Sequence, residues 1–248
     1  GVLDEHAQKK VDEAKRKQKE FSKLHSSSVV LHAPYSCSET LIQLVDDLST
    51  NQITSIHNQE SDEENKLFQF GDGDFLRLFE QLDYKNKLPL TTISKRSIQS
   101  YFTKFKHQQH IILVHNTYTN KEDLHYLQTL SKDIYWCLCV HANLYIENRL
   151  PDIALLHQSG VPIILGTDSL ASNTNLSILE EIKTIHQFYP SIPITDILHW
   201  ATLQGAQALG ITDKFGSFLK GKKPGVLHIG NFNLLHGIDK TAKVRRMW

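Results

Sequence analysis

The chain has little of what secreted, membrane-spanning or nucleic-acid-binding proteins need. Three cysteines, Cys37, Cys137 and Cys139, are odd in number and do not form a disulfide framework, which points to a reducing, cytoplasmic setting. Net charge is absent: 27 basic residues balance 27 acidic ones, which argues against binding nucleic acid by phosphate neutralisation. No apolar run reaches bilayer-spanning length, no signal peptide is visible, and no internal repeat stands out. Neither nucleic acid nor membrane is therefore expected as a partner; a small-molecule substrate is, and a homodimer is allowed. The chain opens on Gly1-Val2-Leu3 without Met and enters a charged helix at once, so it is read as part of a larger protein.

What is present suits an α/β enzyme. A length of 248 residues with 40% hydrophobic content can bury a sizeable core and matches one α/β barrel or one to two ordinary domains. Short apolar runs alternate with helical patterns. Strands are expected over 27–32, 53–57, 111–115, 134–140 and 163–169, and helices over 4–24, 38–48, 75–82, 97–105, 121–130, 151–159, 177–188 and 194–209, with a loop over 88–92. Five strand–helix units imply parallel strands with right-handed crossovers. After Gly210, frequent Gly and Pro punctuate short apolar runs, 226–229 and 232–235, which read as a small β addition.

Strand parity then selects among the 14 histidines. On the last of the five strands, Ile164, Gly166 and Asp168 share a face, and Asp168 sits at the C-terminal end, where α/β folds collect their chemistry. His32, His57 and His115 hold the same place on three earlier strands. One such histidine is commonplace. Three with an aspartate at equivalent strand ends suggest a site, because neutral imidazole and carboxylate are ligands that zinc or iron accepts. Such chemistry also needs a base that is not a ligand, and Glu60, three residues after His57, is the candidate. Cys137, Cys139 and His141 would share parity on one strand, but a single strand cannot wrap an ion, so the thiols are expected to be small core filler.

These residues carry a resemblance. Leu31-His32-Ala33-Pro34-Tyr35-Ser36, His57-Asn58-Gln59-Glu60, Val114-His115-Asn116, Cys139-Val140-His141-Ala142-Asn143-Leu144 and Gly166-Thr167-Asp168-Ser169 together resemble the amidohydrolase superfamily. The branch they look most like is that of cytosine deaminase, S-adenosylhomocysteine deaminase and chlorohydrolases. The resemblance implies a partial (β/α)₈ TIM barrel, strands four to eight, over 1–215, and a C-terminal β segment of the composite domain over 216–248. It implies one divalent metal ion, zinc or iron, held by His57 and Asp168. Glu60 would be the proton shuttle, His115 would polarise the attacked group, and Asp168 would also accept a proton. His32, Asn143 and Ser169 would face the substrate. The first-strand His-x-His pair of that group has no counterpart here, and its Cys-Pro-x-Ser-Asn segment reads Cys139-Val140-His141-Ala142-Asn143. The implied activity is hydrolytic deamination of an aminated heterocycle. The alternatives are hydrolysis of a chloro- or amide-substituted substrate at the same site, and an inactive fragment or pseudoenzyme.

Overall fold

The first helix shows how lightly the N-terminal segment is anchored. Its 15 residues, Ala7–Phe21 (α1), follow a single 3₁₀ turn at Asp4–His6, and only Ala7 and Val11 are buried. Leu3 is buried just ahead of them. The expectation of a helix over 4–24 thus holds to Phe21. In this computed structural model the described residues are all but 24, 49–51, 85–93, 108–109, 131, 234–236 and 248. The loop expected over 88–92 and the end of the 232–235 run lie outside them.

The chain divides into two units, Gly1–Ile134 and Tyr135–Trp248. In the first, α2 (Glu39–Leu48) buries Leu41, Ile42 and Val45 at helical spacing. Then come β1 (Ile53–Asn58), α3 (Asp62–Phe70), α4 (Asp74–Gln81) and α5 (Ser97–Tyr101), which tightens into a 3₁₀ turn at Phe102–Lys104. Next are β2 (His110–His115) and α6 (Lys121–Gln128). Strands β1 and β2 pair in parallel, with His57 opposite Val114 and Asn58 opposite His115. Parallel pairing demands a crossover, and α3 to α5 supply it. Tyr101, Phe102 and Phe105 meet edge to face and are fully buried in the core of this unit with Ile98, Ile111 and Leu113. Helix α6 starts on a capping box, Asn120 with Asp123.

The expected strand over 27–32 is a correction. The segment is extended but, among the described residues, belongs to no ladder. It makes one backbone contact with β1, His57 N–H to the His32 carbonyl at 2.8 Å, and Val30 points outward, 45% exposed.

In the second unit β3 (Asp133–Leu138), which begins at the junction, pairs in parallel with β4 (Ile163–Leu165). Between them lie α7 (Val140–Glu147) and α8 (Ile153–Gln158). A second correction falls here: the strand expected to reach Val140 stops at Leu138, and Val140 already begins α7. Helix α9 (Ile178–Phe188) is capped by Ser177. The helix expected over 194–209 starts as α10 (Ile194–His199) and then widens into a π turn at Trp200–Gln204, where Thr202 Oγ1 donates back to the Leu198 carbonyl at 2.7 Å. Two antiparallel ribbons close the chain: β5 (Leu227–Ile229) with β8 (Val244–Arg246), and β6 (Phe232–Asn233) with β7 (Gly237–Ile238). Among the described residues no helix is long and apolar enough to cross a membrane.

Candidate active site

Strand alternation decides what β1 presents. Thr54, Ile56 and Asn58 are buried on one face, so Ile53, Ser55 and His57 take the other, which is only half-buried. His57 is the last residue of that face. At the end of β2 the chain turns sharply, and His115 (φ 75°) and Asn116 (φ 60°) are both left-handed. Non-glycine residues enter this region at a cost of about 1–3 kcal/mol each and stay there only when their surroundings hold them.

The result is a cluster of imidazoles. His115 Nε2 lies 2.7 Å from His57 Nδ1, and the two rings stack with centroids 4.8 Å apart. Glu60 Oε1 is 3.3 Å from the same His115 nitrogen, with Glu60 half-buried and His115 fully buried. The His32 ring meets His57 at 5.1 Å, and His32 Nδ1 is tied to Ser36 Oγ at 2.7 Å. Tyr35 leans on His32 and stacks on Phe75, centroids 4.0 Å apart. Burial pushes the Tyr35 phenol up, and the charges of Glu60 and Glu64 push it further. Four of the residues selected from the sequence, His32, His57, Glu60 and His115, thus come together in this unit.

A buried polar layer lies beneath the cluster. Asn58 Nδ2 donates to Asn116 Oδ1 at 3.0 Å, and the Tyr101 hydroxyl donates to Asn58 Oδ1 at 2.7 Å. Gln59 is itself left-handed (φ 47°) and fully buried. Its Nε2 donates to Asp123 Oδ2 at 3.0 Å and Asn65 Oδ1 at 3.2 Å, while Thr119 Oγ1 donates to its Oε1 at 2.7 Å. Arg96 Nε meets Asp123 Oδ1 at 2.7 Å. Glu64 Oε1 accepts from Gln59 N–H at 2.9 Å and, by a very short bond, from Ser97 Oγ. Burial raises the Glu64 carboxyl to about 7 against those hydrogen bonds, and the Glu60 charge adds to the rise. Sequence reasoning missed this layer. The available signal was Asn58-Gln59, two amides directly after an apolar strand.

In the second unit Asp168 (φ 56°) stands just past β4. Ser172 Oγ donates to Asp168 Oδ2, and Ser169, also selected from the sequence, is exposed. Asn173 Nδ2 holds the Thr167 carbonyl at 2.8 Å and Glu181 Oε1 at 3.0 Å. Glu181 Oε2 accepts from His141 N–H at 3.1 Å at the start of α7; burial raises this carboxyl. Asn143 is fully buried on α7. His141 stands on that helix with Nε2 at 2.7 Å from Thr184 Oγ1, so it does not continue the cysteine strand. Cys137 and Cys139 are buried, and a Cβ on Gly166 would meet their sulfurs at 2.9 and 3.0 Å. The Cys139 thiol is pushed well up by its hydrogen bond with Cys137 and by burial.

Residues 3–229 match the model of the amidohydrolase family. The chain belongs to the amidohydrolase family. Among its relatives, adenosine deaminase of Helicobacter pylori is 26% identical over 194 residues, 75% of this chain and 46% of the relative. 5-Methylthioadenosine/S-adenosylhomocysteine deaminase of Pyrococcus abyssi is 26% identical over 224 residues, 84% of this chain and 47% of that one. The crystal structure of Helicobacter pylori aminofutalosine deaminase with methylthio-coformycin superposes with a TM-score of 0.74 at 25% identity, over 88% of this chain and 54% of that one. A zinc-bound adenosine deaminase of Xanthomonas campestris shares the fold, with a TM-score of 0.62 at 22% identity over 88% of this chain and 47% of that one. This amidohydrolase chain spans just under half of the length of the curated relatives described.

Proposed function

We propose that the protein containing this chain is a metal-dependent hydrolytic deaminase of an aminated heterocycle, of the purine nucleoside type. The observation that carries the reading is the placement of Glu60: a half-buried carboxylate within 3.3 Å of His115 Nε2, beside a second imidazole at 2.7 Å. Family membership and the deaminase names of the relatives support it. Residues 1–215 are assigned to a partial barrel and 216–248 to the β segment that completes a second domain.

A divalent ion, zinc or iron, fits the donors. His57 Nδ1 and His115 Nε2 turn toward each other rather than to solvent, and imidazole with carboxylate is a suitable donor set. His57 and Asp168 would hold the ion, which when bound lowers the pKa of a water toward neutrality. The rest of the work falls to the chain. Glu60 takes a proton from the attacking water and returns it to a ring nitrogen of the heterocycle. His115, pinned by its turn, polarises the attacked carbon, and Asp168 accepts the second proton of the water and passes it to the departing amino group. His32, Asn143 and Ser169 line the substrate, and ammonia leaves.

The test is Glu60→Gln in the full-length enzyme, assayed for ammonia release from adenosine, 5′-deoxyadenosine and 5′-methylthioadenosine. The amide keeps the size and loses the basicity. The expected result is a kcat at least about a hundredfold lower with metal content unchanged. A near-native rate at full metal content removes Glu60 from the mechanism.

A further inference from the structure

We infer that Glu64 is a positioning residue for Glu60, a step that rests on the reading of Glu60 as the base. Three carboxylates open α3: Asp62, Glu63 and Glu64. The first two stay in reach of water, pair with Lys66, and suffice to favour the helix N-terminus. Glu64 instead folds back beneath the turn and is 0% exposed. A carboxylate withdrawn from water in this way is costly, and its Oε2 has no hydrogen-bond partner among the described residues. The burial therefore calls for a compensating role, and the other oxygen shows it.

Glu64 Oε1 takes the backbone N–H of Gln59 at 2.9 Å, and the Glu60 N–H also interacts with this carboxylate. At its other end Gln59 gives its carbonyl to Tyr118 N–H at 3.0 Å, in the segment that follows His115 and Asn116. The left-handed residue before Glu60 is thus pinned at both its N–H and its carbonyl. Glu64 fixes the N–H side and Ser97 fixes Glu64. The Glu60 carboxylate leaves a backbone that cannot rock, and its approach to His115 Nε2 is set by that frame. Glu64 acts through Glu60.

The experiment uses the full-length enzyme with 5′-methylthioadenosine as the probe substrate. Glu64→Ala is expected to lower kcat about tenfold or more and leave KM within about twofold, with metal content unchanged. Hydrogen–deuterium exchange in the 57–64 peptide should speed up by a similar factor. Glu64→Gln, which retains an acceptor oxygen for Gln59, should recover most of both readouts. Glu60→Gln combined with Glu64→Ala should be no slower than Glu60→Gln alone, because a positioning residue has nothing left to position. If Glu64→Ala does not fold, Glu64→Asp, one methylene too short to reach Gln59, carries the same expectations. Unchanged exchange in the 57–64 peptide, or losses in kcat that multiply in the double variant, overturn the proposal. A normal kcat for Glu60→Gln overturns the reading of the base instead, and the exchange result still decides whether Glu64 holds the turn.

Discussion

The Glu64 carboxyl makes the first unit sensitive to pH in a direction that can be worked out. Unfolded, it loses its proton near 4.5; folded and buried, near 7. The fold therefore favours the neutral acid. The corresponding stability is fully present below pH 4.5 and is lost as pH rises through about 7. A difference of that size corresponds to about 3 kcal/mol over the whole range, of which on the order of 2–3 kcal/mol falls between pH 5 and 8. Glu64→Gln is neutral at every pH and lacks this slope. Wild type and Glu64→Gln should thus diverge by that amount between pH 5 and 8, with the wild type losing ground. Urea titration is the assay, read by hydrogen exchange in peptides from β1 and β2. Tryptophan fluorescence would follow the wrong unit, since Trp136, Trp200 and Trp248 all lie after residue 134. Removing the Glu60 charge by Glu60→Gln should shrink the slope, because that charge helps to raise Glu64. Parallel profiles, within about 0.5 kcal/mol, would refute the account of a buried carboxyl near neutrality.

Two further outcomes follow from packing and pairing. Tyr101→Phe removes the hydroxyl that serves Asn58 Oδ1 at 2.7 Å in a fully buried site and should destabilise the first unit by about 1–3 kcal/mol in the same titration. An unchanged midpoint would show that Asn58 finds another donor. Gly166→Ala drives a Cβ to 2.9 Å from Cys137 Sγ and 3.0 Å from Cys139 Sγ, and should cost about 1–3 kcal/mol, followed by Trp136 fluorescence in urea. Adding Cys137→Ala should restore part of that loss; simple addition of the two penalties would mean that the thiols are not what the methyl meets.

The sequence made the strand ends legible because alternation and a terminal histidine are local signals. His57 is the last residue of its face of β1, which closes at Asn58, and His115 closes β2. The register sets His115 opposite Asn58, so the left-handed turn at His115, and not shared strand parity, brings the two rings together. The 27–32 segment shows where local signals fail. Its apolar alternation is that of a strand, yet strand formation depends on partners that composition does not reveal, and among the described residues the segment's backbone bond to β1 is made at His32. Helix α7 failed for the opposite reason. Cys139 provides no side-chain cap; the cap comes from Glu181, 40 residues along from His141. The layer below the histidines was hidden likewise. Asn58, Gln59, Glu64, Tyr101, Asn116 and Asp123 each look like ordinary turn, helix or core residues until the fold brings them together.

That layer also limits how the protein can change over generations. Its hydrogen bonds join residues 58–65, 96–101 and 116–123, and every member serves at least one of the others. Replacing Asn58 or Asp123 alone strands a buried partner, so acceptable variation there must arrive as matched pairs, through intermediates that fold poorly. Phe75 meets Tyr35 by stacking, a contact that another apolar ring can replace at small cost. If Glu60 is the base, substitutions at Phe75 can accumulate one at a time, whereas changes in the layer below the histidines must come in pairs.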